Sequence, residues 1–398
     1  MTVDHLHGRS PVATRRLVAR ADSVAGVDAA LARIWAELAR QGMTDRAVDG
    51  AMTTLARTRV LTLVVVASRP ETAERASDAV LKLAGRHPSR TVVLGFGDLD
   101  GPAGVDARVQ AHCHPLGGSS EVCTEQIFVR ISGEACQHPS AVAAPLLLHD
   151  LPVALWWTDD PPIGTRPLGD LMALADRLVV DSGLFRDDGS ARLVALAAAA
   201  SEGLEIHDIG WMRPEQWRTL LAGLFDEPAL RPFLGGVRRI RVTVARPGSI
   251  VRIGRAALYL AWLASRLRWR VEEAFRPDGE DTFKGLMSHR GRRIEVEIVG
   301  EAVPLDGRLP APGGLLRVEM ESVRGRQRAS ATVVRADDHV VAEADVDGRP
   351  CARRTGMAER HEDASYLAGA LEATGRDAVF HASLPIAVRL LGRADSPA

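Results

Sequence analysis

The stretch PLLLHDLPVALWWTDDPP, residues 145–162, constrains the fold more than any other part of the chain. Three leucines (Leu146, Leu147 and Leu148) run into His149–Asp150. Pro152 then opens Val153–Ala154–Leu155–Trp156–Trp157, and the segment stops on Asp159–Asp160 and Pro161–Pro162. A short apolar run bounded by proline and aspartate predicts a buried strand. Successive strand side chains point to opposite faces, so Trp156 and Trp157 cannot share one core. Either both faces of this strand are covered, or one ring meets a partner.

The flanking sequence repeats that pattern. Residues 60–67 (VLTLVVVA), 91–95, 177–181 and 204–209 are β-rich and apolar. Helical spacing falls between them, over 70–85, 168–175, 189–202 and 214–226. Such alternation predicts an α/β domain with a mixed sheet over 21–235, preceded by a flexible tail, 1–20. Ser23 is a helix cap ahead of Val24, Val27, Leu31, Ile34 and Leu38, a helix expected to stop at Gly42, with a further short one over 46–57. A boundary is expected at Gly235–Gly236. Beyond it, apolar and polar residues alternate, as in RIEVEIV (293–299), the mark of an antiparallel sheet with one wet face. Residues 236–398 therefore read as an α+β domain with an antiparallel sheet, closed by helices over 363–374 and 377–391 that each start at an aspartate.

With 398 residues, two or three domains are expected. The formal net charge of −1 gives no electrostatic reason to expect nucleic acid or an anionic membrane as partner. No apolar run reaches the length of a membrane span, and the N-terminus lacks the apolar core of a secretory signal. These features, with four cysteines and no CxxC, point to the cytoplasm and reduced thiols. Only Lys82 and Lys284 are lysines, which leaves little scope for Schiff-base chemistry.

Reaction chemistry is sparse. Gly95, Gly97 and Gly101 lack the G-x-G-x-x-G spacing, and no helix follows them. His112, Cys113, His114, Cys123, Cys136 and His138 do not have paired zinc spacing, since neighbours on a strand cannot all face one metal. Cys113 and Cys123 flank one loop and are candidate redox thiols. No nucleophile elbow, H-E-x-x-H or P-loop is present. Asp159–Asp160 end a strand, where α/β folds place sites, but next to two prolines they also suit a turn. Ser119–Ser120 and Asp181–Ser182 suit loops and caps. The residues favour a binding or regulatory protein without cofactor or metal. Its candidate partner contacts are Asp150, Trp156, Trp157, Asp159, Asp160 and Arg166.

Several segments together resemble one family. DLPVALWW (150–157) with its following prolines, HPSRTVVL (87–94), EQIFVRISG (125–133) and LADRLVVDS (174–182) are similar in order to segments of the glucose-6-phosphate dehydrogenase assembly protein family, OpcA. DIGWMRPEQWRTLLAGLFDEP (208–228), AWLASRLRW (261–269) and residues 375–391 continue the resemblance. It implies a non-catalytic partner that promotes assembly of glucose-6-phosphate dehydrogenase and raises its activity at the NADPH-producing entry to the pentose phosphate pathway. A protein ligand acts in this way by binding one conformation or oligomer preferentially, with coupling of about 1–3 kcal/mol. Photosynthetic members carry a redox signal on thiols to which the four cysteines here are not matched. The alternative is a sugar-phosphate-binding enzyme or sensor that uses the strand ends, with Asp159, Asp160 and Arg166 as contacts.

Overall fold

Apolar runs without alternation need cover on both faces, and the first sheet is built around three of them. The structure is a computed structural model that describes residues 15–21, 23–49, 54–56, 59–83, 86–117, 120–246, 248–304, 311–358 and 363–392. The chain divides into two compact units, one of Met1–Thr158 with Thr165–Leu178, the other of Asp159–Gly164 with Val179–Ala398.

The first unit runs β1 (Arg15–Ala21), α1 (Val24–Asp49), β2 (Thr54–Ala56), β3 (Leu61–Ala67), α2 (Pro70–Leu83), β4 (Ser89–Phe96), β5 (Gly104–Gly117) and β6 (Ser120–Ser132). A short helix α3 (Pro139–Ala143), β7 (Val153–Trp157) and α4 (Arg166–Met172) complete it. Its strands lie in the order β1-β5-β6-β4-β3-β7, with β2 also on β6. Pairs β3–β4, β3–β7, β4–β6 and β2–β6 are parallel, whereas β1–β5 and β5–β6 are antiparallel. The expected mixed sheet is present. Every residue of β3 and β7 is buried, as their unbroken apolar sequences require. The helix α2 buries Ala76, Ala79, Val80 and Leu83 on one face and packs on β3 and β4.

Two expectations change here. Arg15–Ala21 is a strand in register with β5, not part of a tail; residues 1–14 lie outside the described residues. The helix from Ser23 continues through Gly42 to Asp49, and Thr54–Ala56 pairs as a strand where a second helix was expected. An interior glycine weakens a helix by only about 1 kcal/mol and does not stop it.

The chain re-enters the second unit along β8 (Arg177–Val180). It then forms α5 (Ser190–Ser201), β9 (Ile206–Asp208), α6 (Ile209–Met212), α7 (Glu215–Leu224), β10 (Val237–Arg246) and α8 (Gly254–Leu267). After these come β11 (Arg270–Pro277), β12 (Thr282–His289), β13 (Arg292–Ala302), β14 (Leu315–Arg324), β15 (Gln327–Ala336), β16 (His339–Val346) and β17 (Arg349–Met357). Two helices, α9 (Asp363–Glu372) and α10 (Ala378–Leu390), follow. The sheet order is β11-β12-β13-β10-β14-β15-β16-β17. It is antiparallel except where β13 lies parallel to β10, so the antiparallel expectation is corrected to a mixed sheet. The cause is the route: α8 returns the chain to the start of the sheet, and the β11–β12 hairpin then brings β13 in along the direction of β10.

The helix α8 is buried at every position from Gly254 to Ala261 and packs on α10, while α7 packs on β15, β16 and β17. Asp377 caps α10 as expected, accepting from the N–H groups of Val379 and Phe380 at 2.9 and 3.0 Å. The units divide the chain at 158/159, 164/165 and 178/179, not near 235–236. No helix among the described residues is long and apolar enough to cross a membrane.

Candidate functional site

β7 is set by its parallel neighbour. Val64, Val65 and Val66 pair with Leu155, Trp156 and Trp157, and the Thr158 hydroxyl closes the strand by donating to the Val66 carbonyl at 2.9 Å. Trp156 is 4% and Trp157 6% exposed. Both faces of the strand are covered, the first of the two alternatives, so neither ring offers a surface, and Trp156 and Trp157 are withdrawn as candidate partner contacts. Asp150, in the turn before β7, is exposed with φ of 66°, a left-handed backbone uncommon outside glycine. Arg166 opens α4 with its side chain 75% exposed and pairs with Asp170 at 3.4 Å, one turn on.

The two aspartates after β7 belong to the second unit. Asp159 is half-buried. Asp160 is held: one carboxylate oxygen accepts from the Arg186 backbone N–H at 3.0 Å, and the other pairs with the Arg186 guanidinium at 3.4 Å. This carboxylate anchors a turn. Thus four of the expected partner contacts, Asp150, Trp156, Trp157 and Arg166, lie in one unit, and Asp159 and Asp160 lie in the other.

Cys113 and Cys123 stand opposite each other on β5 and β6, with Cα atoms 4.0 Å apart, and form a disulfide. Each is 1% exposed. The expectation of reduced thiols is corrected for this pair, because facing positions on adjacent strands bring the sulfurs together. Cys136 is buried, and its thiol donates to the Ile131 carbonyl at 3.3 Å. Its burial pushes the thiol pKa up. Ser119 lies outside the described residues.

The most developed polar chemistry was not singled out by the sequence. In the first unit Glu125 on β6, 1% exposed, takes Arg90 at 3.0 Å, Arg59 and the Trp35 indole N–H on its two oxygens. Beside it, the Gln126 side-chain carbonyl accepts from Ser77 at 2.8 Å and Gln110 at 2.6 Å. In the second unit Asp208, at the end of β9, accepts from the N–H groups of Ser182 and Gly210 and from the Ser182 hydroxyl, at 2.8, 2.9 and 2.6 Å. Burial raises its pKa to about 6 against those donors. Arg213 bridges Asp181 at 2.9 Å and Asp363 at 2.6 Å. Burial works against its charge, but the two carboxylates outweigh it and push its pKa above the usual range. A strand ending in Asp–Ser and another ending in Asp before Ile–Gly was the available signal; spacing alone did not show that they meet.

These groups bond to one another and to backbone, so they hold strand ends and turns in place. The fold is that of a two-unit protein, mixed sheets in both, whose buried ionic groups lock segments distant in sequence. Residues 80–198 match the family model described as glucose-6-phosphate dehydrogenase subunit N-terminal domain, and residues 204–384 match the C-terminal domain of the same subunit. The chain belongs to the glucose-6-phosphate dehydrogenase assembly protein family, OpcA.

A relative from Synechocystis sp., named "Putative OxPP cycle protein OpcA", is 26% identical over 317 residues, covering 78% of this chain and 65% of that protein. Relatives of the same name from Nostoc punctiforme and Synechococcus elongatus are 28% and 24% identical, over 56% and 76% of this chain. The chain spans 47% of the Nostoc protein and 68% of the Synechococcus protein. Among solved structures, a levoglucosan dehydrogenase complex with NADH and L-sorbose is 11% identical with a TM-score of 0.43, over 84% of this chain and 96% of that one, a likeness too low to carry an argument.

Proposed function

We propose that this chain is a non-catalytic partner of glucose-6-phosphate dehydrogenase that promotes its assembly and raises its activity, supporting NADPH production in the oxidative pentose phosphate pathway. The observation that carries this reading is the match of both family domains, in order, over residues 80–198 and 204–384. The segments that carry the resemblance are also bonded to one another. Arg90 in HPSRTVVL meets Glu125 in EQIFVRISG, and Ser182 in LADRLVVDS meets Asp208 in the segment that follows. Exposed Asp150 and Arg166 are the candidate partner contacts on the first unit, and half-buried Asp159 is the candidate on the second. A stable complex of this kind buries about 1,200–2,000 Å² in total.

The test is co-elution of the full chain with the dehydrogenase from the same cell, together with steady-state kinetics. The expected outcome is a complex in which the dehydrogenase has a lower apparent KM for glucose 6-phosphate or a higher kcat. Separate elution and unchanged kinetics with both proteins at micromolar concentration would sink the proposal.

A further inference from the structure

A small cleft in the second unit is lined by Ser182, Gly183, Asp188, Arg252, Arg255 and Gly313, among others. Its free volume is about 10 Å³, room for one water-sized group. Arg255, the second residue of α8, is 5% exposed, yet its Nε and Nη2 have no hydrogen-bond partner among the described residues. Gly183 makes the space for this side chain: a Cβ there would lie 1.7 Å from Nη2. Half-buried Arg252, three residues earlier, reaches the Gly183 carbonyl at 3.4 Å.

The start of α8 adds to the positive potential. Ile253 at the N-cap has no side-chain acceptor, so the first-turn N–H groups go without the usual cap. Those groups form the positive end of the helix dipole, a natural seat for an anion. No carboxylate among the described residues forms an ion pair with Arg255, although Asp188 lines the same cleft. Asp188 accepts from the Ser190 N–H and hydroxyl at 2.8 and 2.7 Å, and Asp181 is held by Arg213 and the Gly183 N–H. A buried guanidinium without a counter-charge is strongly unfavourable, so the arrangement calls for an anion from outside the chain.

We propose that this cleft binds a phosphoryl group, as inorganic phosphate or as the phosphate end of a small monoester. Arg255, Arg252 and the first-turn amides of α8 are its donors. Donors converging from two side chains and a helix end suit the several oxygens of a tetrahedral anion better than the two of a carboxylate. Because the free room fits one oxygen-sized group, Arg252 swings outward as the anion enters. The proposal goes beyond the assembly role and does not depend on it.

The test is thermal unfolding and titration calorimetry of the full chain with inorganic phosphate and with glycerol phosphate, each against sodium chloride at equal ionic strength. The expected result is a saturable rise in Tm with a phosphate probe beyond that given by chloride. Arg255→Met is expected to lose about tenfold or more in affinity, the worth of a charged hydrogen bond. It is also expected to melt, without phosphate, no lower than the parent, since the unpaired buried charge is gone. Arg252→Gln, at a half-buried position, is expected to weaken binding too, and it serves if the Met variant does not fold. Tighter binding of glycerol phosphate identifies a small ester as the source; tighter binding of phosphate identifies the free ion. No saturable effect with either probe overturns the proposal, as does an unchanged effect in the folded variants.

Discussion

Glu125 shows how one carboxylate can fix three segments. Arg59, Arg90 and Trp35 all bond to it in a setting where its side chain is fully covered. Removing one partner of a buried ionic group leaves the others uncompensated, at about 3–5 kcal/mol. Glu125→Ala is therefore expected to lower the unfolding free energy obtained from urea titration by that much, whereas a loss under about 1 kcal/mol would show the network to be dispensable. Asp208 makes a pH-dependent contribution. Its pKa is about 6 in the folded chain against 3.8 for the ordinary group, so its protonated form is favoured by folding. The stability linked to it is complete below pH 3.8 and is lost as pH rises through 6, amounting to about 3 kcal/mol. Asp208→Asn keeps an acceptor for both backbone N–H groups and can donate to the Ser182 hydroxyl. Its Tm against pH is expected to lack the fall between pH 4 and 6 that the parent shows. A third comparison separates anchoring from exposed acids and bases: Asp160→Ala is expected to destabilise by about 1–3 kcal/mol through the lost Arg186 contacts. Arg166→Ala, on an exposed side chain, is expected to stay within about 0.5 kcal/mol.

Among elements, the strands with unbroken apolar runs were legible in sequence, and β3, β4 and β7 lie where burial on both faces requires. The β17 strand was missed because RPCARRTGM has neither an apolar run nor clean alternation. The available signal was its turn: Asp347 and Gly348 have φ of 53° and 75°, the primed two-residue turn that Asp–Gly favours. Arg290–Gly291, at 49° and 75°, turns β12 into β13 in the same way. β1 was missed because a strand at a sheet edge needs no long apolar run, and its partner β5 lies more than eighty residues away. The β5–β6 hairpin carries a measurable consequence. After denaturation without reductant, two thiols, those of Cys136 and Cys351, are expected to react with a thiol reagent, and four after reduction. Four reactive thiols without reductant would refute the crosslink. With Cys113 and Cys123 each 1% exposed, a redox role for them requires the hairpin to open before a reductant reaches the sulfurs.

For the molecule as a whole, the sequence conveyed two folded regions of different character, but not where the chain divides. Composition shifts at Gly235–Gly236, yet the second unit already contains α5, α6 and α7, which read as a continuation of the strand–helix alternation. The candidate contacts were legible as residue types and not as a surface. Trp156 and Trp157 differ from exposed anchors only in what covers them, and no spacing rule reports that. The networks at Glu125, Asp208 and Arg213 were illegible for the same reason: each joins residues that are ordinary in their own segments.

The interleaving of four chain segments between two units also bears on how the chain is made. During synthesis the six residues Asp159–Gly164 leave the ribosome before nearly all of the unit they belong to. The first unit cannot close until Leu178 has followed them, and Asp160 waits for Arg186, 26 residues later, before its carboxylate has a place. The two units therefore do not mature strictly one after the other; a short loop of the second is already made, and still waiting for its partners, while the first is being completed.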